Sequence, residues 1–394
     1  MALDKVGFCC DGKKFTDVGA CVGVELQCWR RCVAAASQAA KYQRTALMLQ
    51  GGGALGAYQV GAYQALAEAK LHPTWLCGIS IGAINGAIMA GNAPDKRVDR
   101  LKEFWSTISS PNRGPMDNVF STWKTMAGGQ NGFFHPHAMS PLLPGSVIAG
   151  ATSYYDTSAL RKTLTRLIDF ERLNSGETRF SVGAVNVTSG QLVFFDNASE
   201  KLTPEHIMAS GALPPAFPMI DIDGEVYWDG GIVSNTPLEY LLAQDEDVST
   251  LVFQVNLFSN SGARPELMPS VMARQKDITY ASRTASAVRD YQRVLMLRKH
   301  LANALQRVPE GQLKQGEAAL MHDYADAGVI NLIRLTYQAT AAENDKKDYE
   351  FSNTIMKSRI EAGYADTMAT LAHPEWFEKP TAHDGVVAHG RSEE

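Results

Sequence analysis

Long apolar runs are missing from this chain of 394 residues, and no stretch reaches the roughly 18 residues that a membrane-spanning helix needs. Charge of one sign is missing too: 37 Lys and Arg stand against 42 Asp and Glu, a formal net of −5, which leaves no basic footprint for nucleic acid. Cysteine is scarce and unevenly placed. Five of the six (Cys9, Cys10, Cys21, Cys28 and Cys32) fall in the first 32 positions, and only Cys77 lies further on. The start, Met1 to Val6, shows no charged segment followed by an apolar one, so no secretory signal is read. An odd cysteine cluster without export does not make a disulfide framework, and reduced thiols in a cytoplasmic protein are expected. Zinc is not assigned: Cys21, Cys28 and Cys32 match no common finger spacing, and His135-Pro136-His137 has no companion ligands nearby. No cofactor is assigned either.

What is present is a pentapeptide, Gly78-Ile79-Ser80-Ile81-Gly82, between a strand-like run, Pro73 to Cys77, and a helix-like run, Ala83 to Ala90. A serine at a sharp strand-to-helix turn needs strained backbone angles and no bulk on either side, and its hydroxyl then projects toward a substrate. Gly78 and Gly82 provide that room, and Ser80 becomes a candidate nucleophile. Upstream, the buried strand Thr45 to Leu49 runs into Gly51-Gly52-Gly53-Ala54-Leu55-Gly56 and then a helix from Ala57 to Lys70. Backbone N–H groups at a helix start form an anion site. Gly51, Gly53 and Gly56 also fit the dinucleotide fingerprint, but that fold requires an acidic residue about 20 positions on. None occurs from Ala69 to Pro94, so a reaction oxyanion is the better anion.

A third motif, Asp229-Gly230-Gly231, closes the extended stretch Glu225-Val226-Tyr227. By itself it reads as a surface turn. The run before it, Met208 to Pro218, is small, apolar and proline-braced, as a rigid buried wall would be.

In this order, the glycine loop (Gly51, Gly52, Gly53, Gly56), the elbow (Gly78, Ser80, Gly82) and the motif Asp229, Gly230, Gly231 resemble the patatin-like phospholipase family. The resemblance runs from about Arg44 to Leu257. It implies an α/β fold of three layers, α/β/α, around a central, mostly parallel sheet, with a helical C-terminal extension. It also implies a serine–aspartate dyad, with Ser80 as nucleophile and Asp229 as its partner, and the glycine loop as oxyanion hole. An exposed aspartate, with a pKa near 4, is a weak base, so burial beside Ser80 would have to raise it. One position departs from the family pattern, which often has Arg or Lys where this chain has Leu55.

A histidine triad in the order serine, acid, histidine would have to use His300, His322 or His373, each in a polar helix-like or terminal stretch. The dyad is therefore preferred. The expected activity is hydrolysis of lipid or other acyl esters through an acyl-enzyme. Acyl transfer from a thioester and an idle lipid-binding protein are the alternatives.

The organisation read from composition is a Cys-containing tail at 1–43, a catalytic domain at 44–258, a mainly helical region at 259–380 and a disordered tail at 381–394. Between the elbow and Asp229, residues 109–155 are rich in Gly, Pro and aromatics, including Trp123, Phe133 and Phe134. They fit either a cover that turns apolar side chains toward lipid or an irregular subdomain packed on the core. Residues 270–308 carry eight Lys or Arg against two Asp, with Ile278, Ala281, Ala285, Val288, Tyr291 and Leu295 at helical spacing. Such a helix docks on its own core or lies peripherally on an anionic membrane surface.

Overall fold

A computed structural model describes residues 30–110, 129–137, 152–244, 248–305, 307–309, 328–339, 346–381 and 384–390. The cysteines at 9, 10, 21 and 28, Trp123 and His322 lie outside these residues. Cys32 is a free, buried thiol within a helix at 30–39, and burial pushes its pKa up.

The apolar runs become strands: β1 (Arg44–Leu49), β2 (Trp75–Ile79), β3 (Arg179–Asn186), β4 (Leu192–Asp196), β5 (Ile220–Ile222), β6 (Glu225–Asp229), β7 (Thr250–Asn256), β8 (Ile330–Thr336) and β9 (Val386–Gly390). They form one sheet in the order β9-β8-β7-β1-β2-β3-β6-β5, with β4 on β3. From β9 across to β3 every neighbour is parallel, and the last strands, β4, β6 and β5, pair antiparallel.

Near-continuous apolar strands signal a sheet covered on both faces, because alternate side chains must enter two cores. Here Leu47, Leu49, Leu76, Phe253 and Val255 enter the larger core, while Ala46, Met48, Trp75, Cys77 and Val252 enter the second. The larger core takes α1 (Ala57–Glu68), α2 (Ile81–Ala90) and α5 (Asn353–Leu371). The second takes the short helix Leu238–Leu242 and α4 (Thr284–Leu305), which α3 (Met268–Tyr280) precedes. The result is the expected three layers.

The C-terminal region carries the expected helices together with strands β8 and β9, which continue the sheet past residue 258, and Tyr58 on α1 bonds Asp366 on α5 at 2.9 Å. It differs from its reading in two respects. Within the segment read as a disordered tail, residues 386–390 are the edge strand β9. Parallel backbone pairing, Ile330 with Val386 through Arg334 with Gly390, orders so short a run, as does burial of Val386. Finally, the basic stretch breaks at Ala281 to Arg283, which resets the helical phase. Val288, Tyr291 and Leu295 then pack on the second core and Ala281 is buried, whereas Ala285 is exposed and Ile278 is 61% exposed.

Candidate active site

Strands β1 and β2 are parallel neighbours in register Leu49 with Gly78, so their carboxyl ends lie side by side. One feeds the glycine loop and the other the elbow, and ligands in open α/β sheets bind outside those ends. Ser80 has φ 55 and ψ −124, a left-handed strained conformation for a residue with a side chain. A Cβ on Gly78 would strike the backbone of Gly82, and one on Gly82 would strike the carbonyl of Leu49, so neither position admits another residue without movement.

The elbow is tied down by a residue that carries no motif of its own. Ser210, fully buried, accepts the Ser80 N–H through Oγ at 2.9 Å and donates to the Gly183 carbonyl at 2.6 Å. The only hint was its place in the small, rigid run before the Asp-Gly-Gly motif.

Asp229 arrives by sheet register. Gly183 of β3 pairs with Ile79, and the next residue, Ala184, pairs with Asp229 at the end of β6. The carboxylate accepts the Gly231 N–H through Oδ1 at 2.7 Å, and the neighbouring Ser80 side chain pulls its pKa down. Burial outweighs both and raises its pKa from 3.8 to about 7. The structure thus brings Ser80 and Asp229 together, with Gly231 bonded to the carboxylate and Gly230 packed against the Gly183 backbone.

The glycine loop is a short 3-10 turn, Gly53–Gly56, in which Gly53 takes φ 54 and Gly56 lies beneath the start of α2, against Ile81. Gly51 N–H is bonded to the Asn235 carbonyl at 3.3 Å, and the Asn235 side chain returns a bond to the Gly51 carbonyl at 2.9 Å. Gln50, fully buried, ties the loop's start to distant segments. Its Oε1 accepts the Leu257 and Phe258 N–H groups at 2.6 and 3.1 Å, and its Nε2 donates to Thr236 and the Tyr280 carbonyl at 3.0 and 2.9 Å. A buried amide with every group used is a strong local organiser.

Ser80 and Asp229 sit in a cleft with two characters. Ile81, Ile84, Phe133, Phe134, Phe217 and Phe351 supply an apolar part, with ring centroids 5.2 Å apart for Phe134 and Phe217 and 5.5 Å for Phe133 and Phe134. Phe133 and Phe134 turn inward and do not form an outer lipid-facing loop: Phe134 is 2% exposed and Phe133 packs on the core. The polar part comes from the glycines, Asn235, Lys276, Tyr280 and Asp348. Leu55 is buried in the core, and Lys276 is the cation among the described residues that lines the cleft. No described histidine lines it. His300 lies on α4, and His373 stacks on Trp376 beside Glu375.

A serine elbow beside a glycine loop, at the carboxyl edge of a mostly parallel sheet covered on both faces, defines an α/β protein of the serine-elbow class. A sequence profile described as Patatin-like phospholipase matches residues 47–242, and one described as Patatin phospholipase matches residues 278–383. The chain belongs to the patatin-like phospholipase family. It is also similar to the triacylglycerol lipase SDP1L of Arabidopsis thaliana, with 31% identity over 83 residues, 21% of this chain and 10% of that protein. The chain therefore spans about a tenth of that relative's length. Among solved structures it is similar to VipD from Legionella pneumophila, with 14% sequence identity, a TM-score of 0.36, and coverage of 84% of this chain and 67% of that one.

Proposed function

We propose that the protein is a lipid acyl hydrolase that cleaves carboxylic esters through a Ser80–Asp229 dyad. The observation that carries this is a buried aspartate beside a strained serine in one cleft, with burial lifting the carboxyl to about 7. A serine hydroxyl attacks an ester only when a base takes its proton, and a base works best when its pKa lies near the working pH. Ser80 Oγ would bond to the ester carbonyl carbon while its proton passes to Asp229. Collapse of the tetrahedral intermediate would expel the alcohol, which takes that proton, and leave an acyl-enzyme. Water, deprotonated by Asp229, would then release the fatty acid.

With the Gly51 and Ser80 N–H groups engaged by Asn235 and Ser210, the oxyanion falls to the N–H groups of Gly52 and Gly53. Each such donor is worth about 2.7–4 kcal/mol of transition-state stabilisation. The ring of phenylalanines would hold the acyl chain. The test is labelling by a fluorophosphonate probe and hydrolysis of p-nitrophenyl esters by the full chain and by Ser80→Ala. Loss of both in the variant, with an unchanged circular dichroism spectrum, supports the reading, and persistent labelling refutes it.

The partner surface would be lipid. No residue of α3 is buried; Leu267 just before it and Met268, Val271, Met272 and Ile278 on it are exposed, as are Arg289 and Arg293 of α4. No helix among the described residues is long and apolar enough to cross a membrane.

A further inference from the structure

We propose that two Lys-Asp dipeptides, Lys276-Asp277 on α3 and Lys347-Asp348 in the 3-10 turn Lys347–Tyr349, form a crossed latch that holds the glycine loop in its working shape. On this view Lys276 and Asp348 are positioning residues, and the inference rests on the hydrolase reading for its catalytic consequence. The pairing is reciprocal. Lys276 Nζ donates to both oxygens of Asp348 at 2.7 and 2.9 Å, and Lys347 Nζ donates to Asp277 Oδ1 at 2.5 Å. Two charges of each sign close on each other, with Lys347 4% and Asp348 14% exposed in their side chains. Ion pairs that are this sheltered fix geometry, because removing one partner strands the other charge.

The turn is pinned from behind. Arg359 of α5, buried, donates to the Lys347 carbonyl at 2.8 Å and to the Glu350 carbonyl at 3.2 Å. In front, the Asp348 carbonyl lies so close to the α-carbon of Gly53 that a Cβ there would collide with it, and Gly53 holds φ 54. The turn is therefore a wall against which the loop is shaped. On the other side of the latch, α3 buries no residue, so apolar packing within the protein does little to hold it. Its ties are the charges, the bonds from Gln50 and Asn235 to the Tyr280 carbonyl, the bond from Arg274 to the Ser259 carbonyl at 3.0 Å, and the half-buried Tyr280 ring against Phe258 at its C-terminal end. Opening the latch should loosen α3 and the glycine loop locally and leave the sheet intact.

The experiment uses the full chain with Lys276→Met, Asp348→Asn and Lys276→Arg, and it reads hydrogen exchange, fluorophosphonate labelling rate and p-nitrophenyl ester kinetics. Lys276→Met and Asp348→Asn are expected to speed exchange in peptides spanning Gly51 to Gly56 about tenfold or more, while β1 and β7 stay protected. They should lower kcat and the labelling rate about tenfold with KM within about threefold, a fraction of the 10²–10³ lost when an oxyanion donor is removed outright. Lys276→Arg, which keeps the charge, should recover most of each. Unchanged exchange at the loop in both Lys276→Met and Asp348→Asn overturns the latch. A rise in KM at constant kcat also overturns it, because Lys276 would then be a substrate contact. If the wild-type chain neither labels nor hydrolyses, the hydrolase reading fails, and the exchange comparison still decides whether the latch shapes the loop.

Discussion

Asp229→Asn should inactivate the protein and stabilise it, by an amount that depends on pH. Burial lifts the carboxyl from 3.8 to about 7. Between those values the folded protein holds a proton that the unfolded chain has released, so this group favours folding fully below pH 3.8, and the benefit is lost as pH rises to about 7. At about 1.4 kcal/mol per pH unit, the ionised carboxylate above pH 7 costs the folded state about 4 kcal/mol, an upper figure because the site relaxes. Asparagine keeps an oxygen for the Gly231 N–H and does not ionise. The variant's advantage should therefore be near zero at pH 4 and grow to about 4 kcal/mol at pH 8. With about 2.1 cal/mol/K of unfolding entropy per residue over 394 residues, that corresponds to about 5 °C in Tm. Scanning calorimetry of both proteins from pH 5 to 8, paired with ester hydrolysis, checks the reasoning. Wild-type kcat/KM should rise with pH around a midpoint near 7, as expected of a base with that pKa in the free protein. A Tm difference that fails to grow with pH, or an asparagine variant that retains turnover, would refute the account of Asp229 as a buried base.

Three further outcomes are expected. Ser210→Ala removes the group that joins the Ser80 N–H to the Gly183 carbonyl, costing about 1–3 kcal/mol of stability; kcat should fall and labelling of Ser80 should slow, as urea unfolding and probe kinetics will show. His300→Ala and His373→Ala should each leave kcat within a few-fold, whereas a loss of about a hundredfold in either, with folding intact, would restore a histidine base. Vesicle flotation should recover more protein on anionic than on neutral vesicles and less at high salt, since exposed charges are screened within about 10 Å at 0.1 M. A Met268→Ser/Met272→Ser variant and an Arg289→Gln/Arg293→Gln variant should each weaken recovery; equal recovery of all proteins on both vesicle types would exclude α3 and α4 as the lipid-facing surface.

Much of the candidate site was legible because its chemistry is local in the chain. An elbow needs glycine two residues either side of its serine, and an anion loop needs glycines between a strand and a helix; those constraints act over five or six residues and are written there. The apolar strands and the two-faced sheet followed for the same reason, since each strand must fill two cores. Tertiary structure decided what depends on long-range register. Asp229 reaches Ser80 only because β2, β3 and β6 are neighbours with Ile79 beside Gly183 and Ala184 beside Asp229. Its basicity is set by burial, which no residue pattern states. Ser210, Asn235, Gln50, Lys276 and Asp348 are polar residues in unremarkable surroundings, and they gain a role from partners that lie far along the chain. The edge strand at 386–390 was invisible for a related reason: five residues ending in His389 and Gly390 have little propensity of their own, and the backbone of β8 supplies the order that their side chains do not.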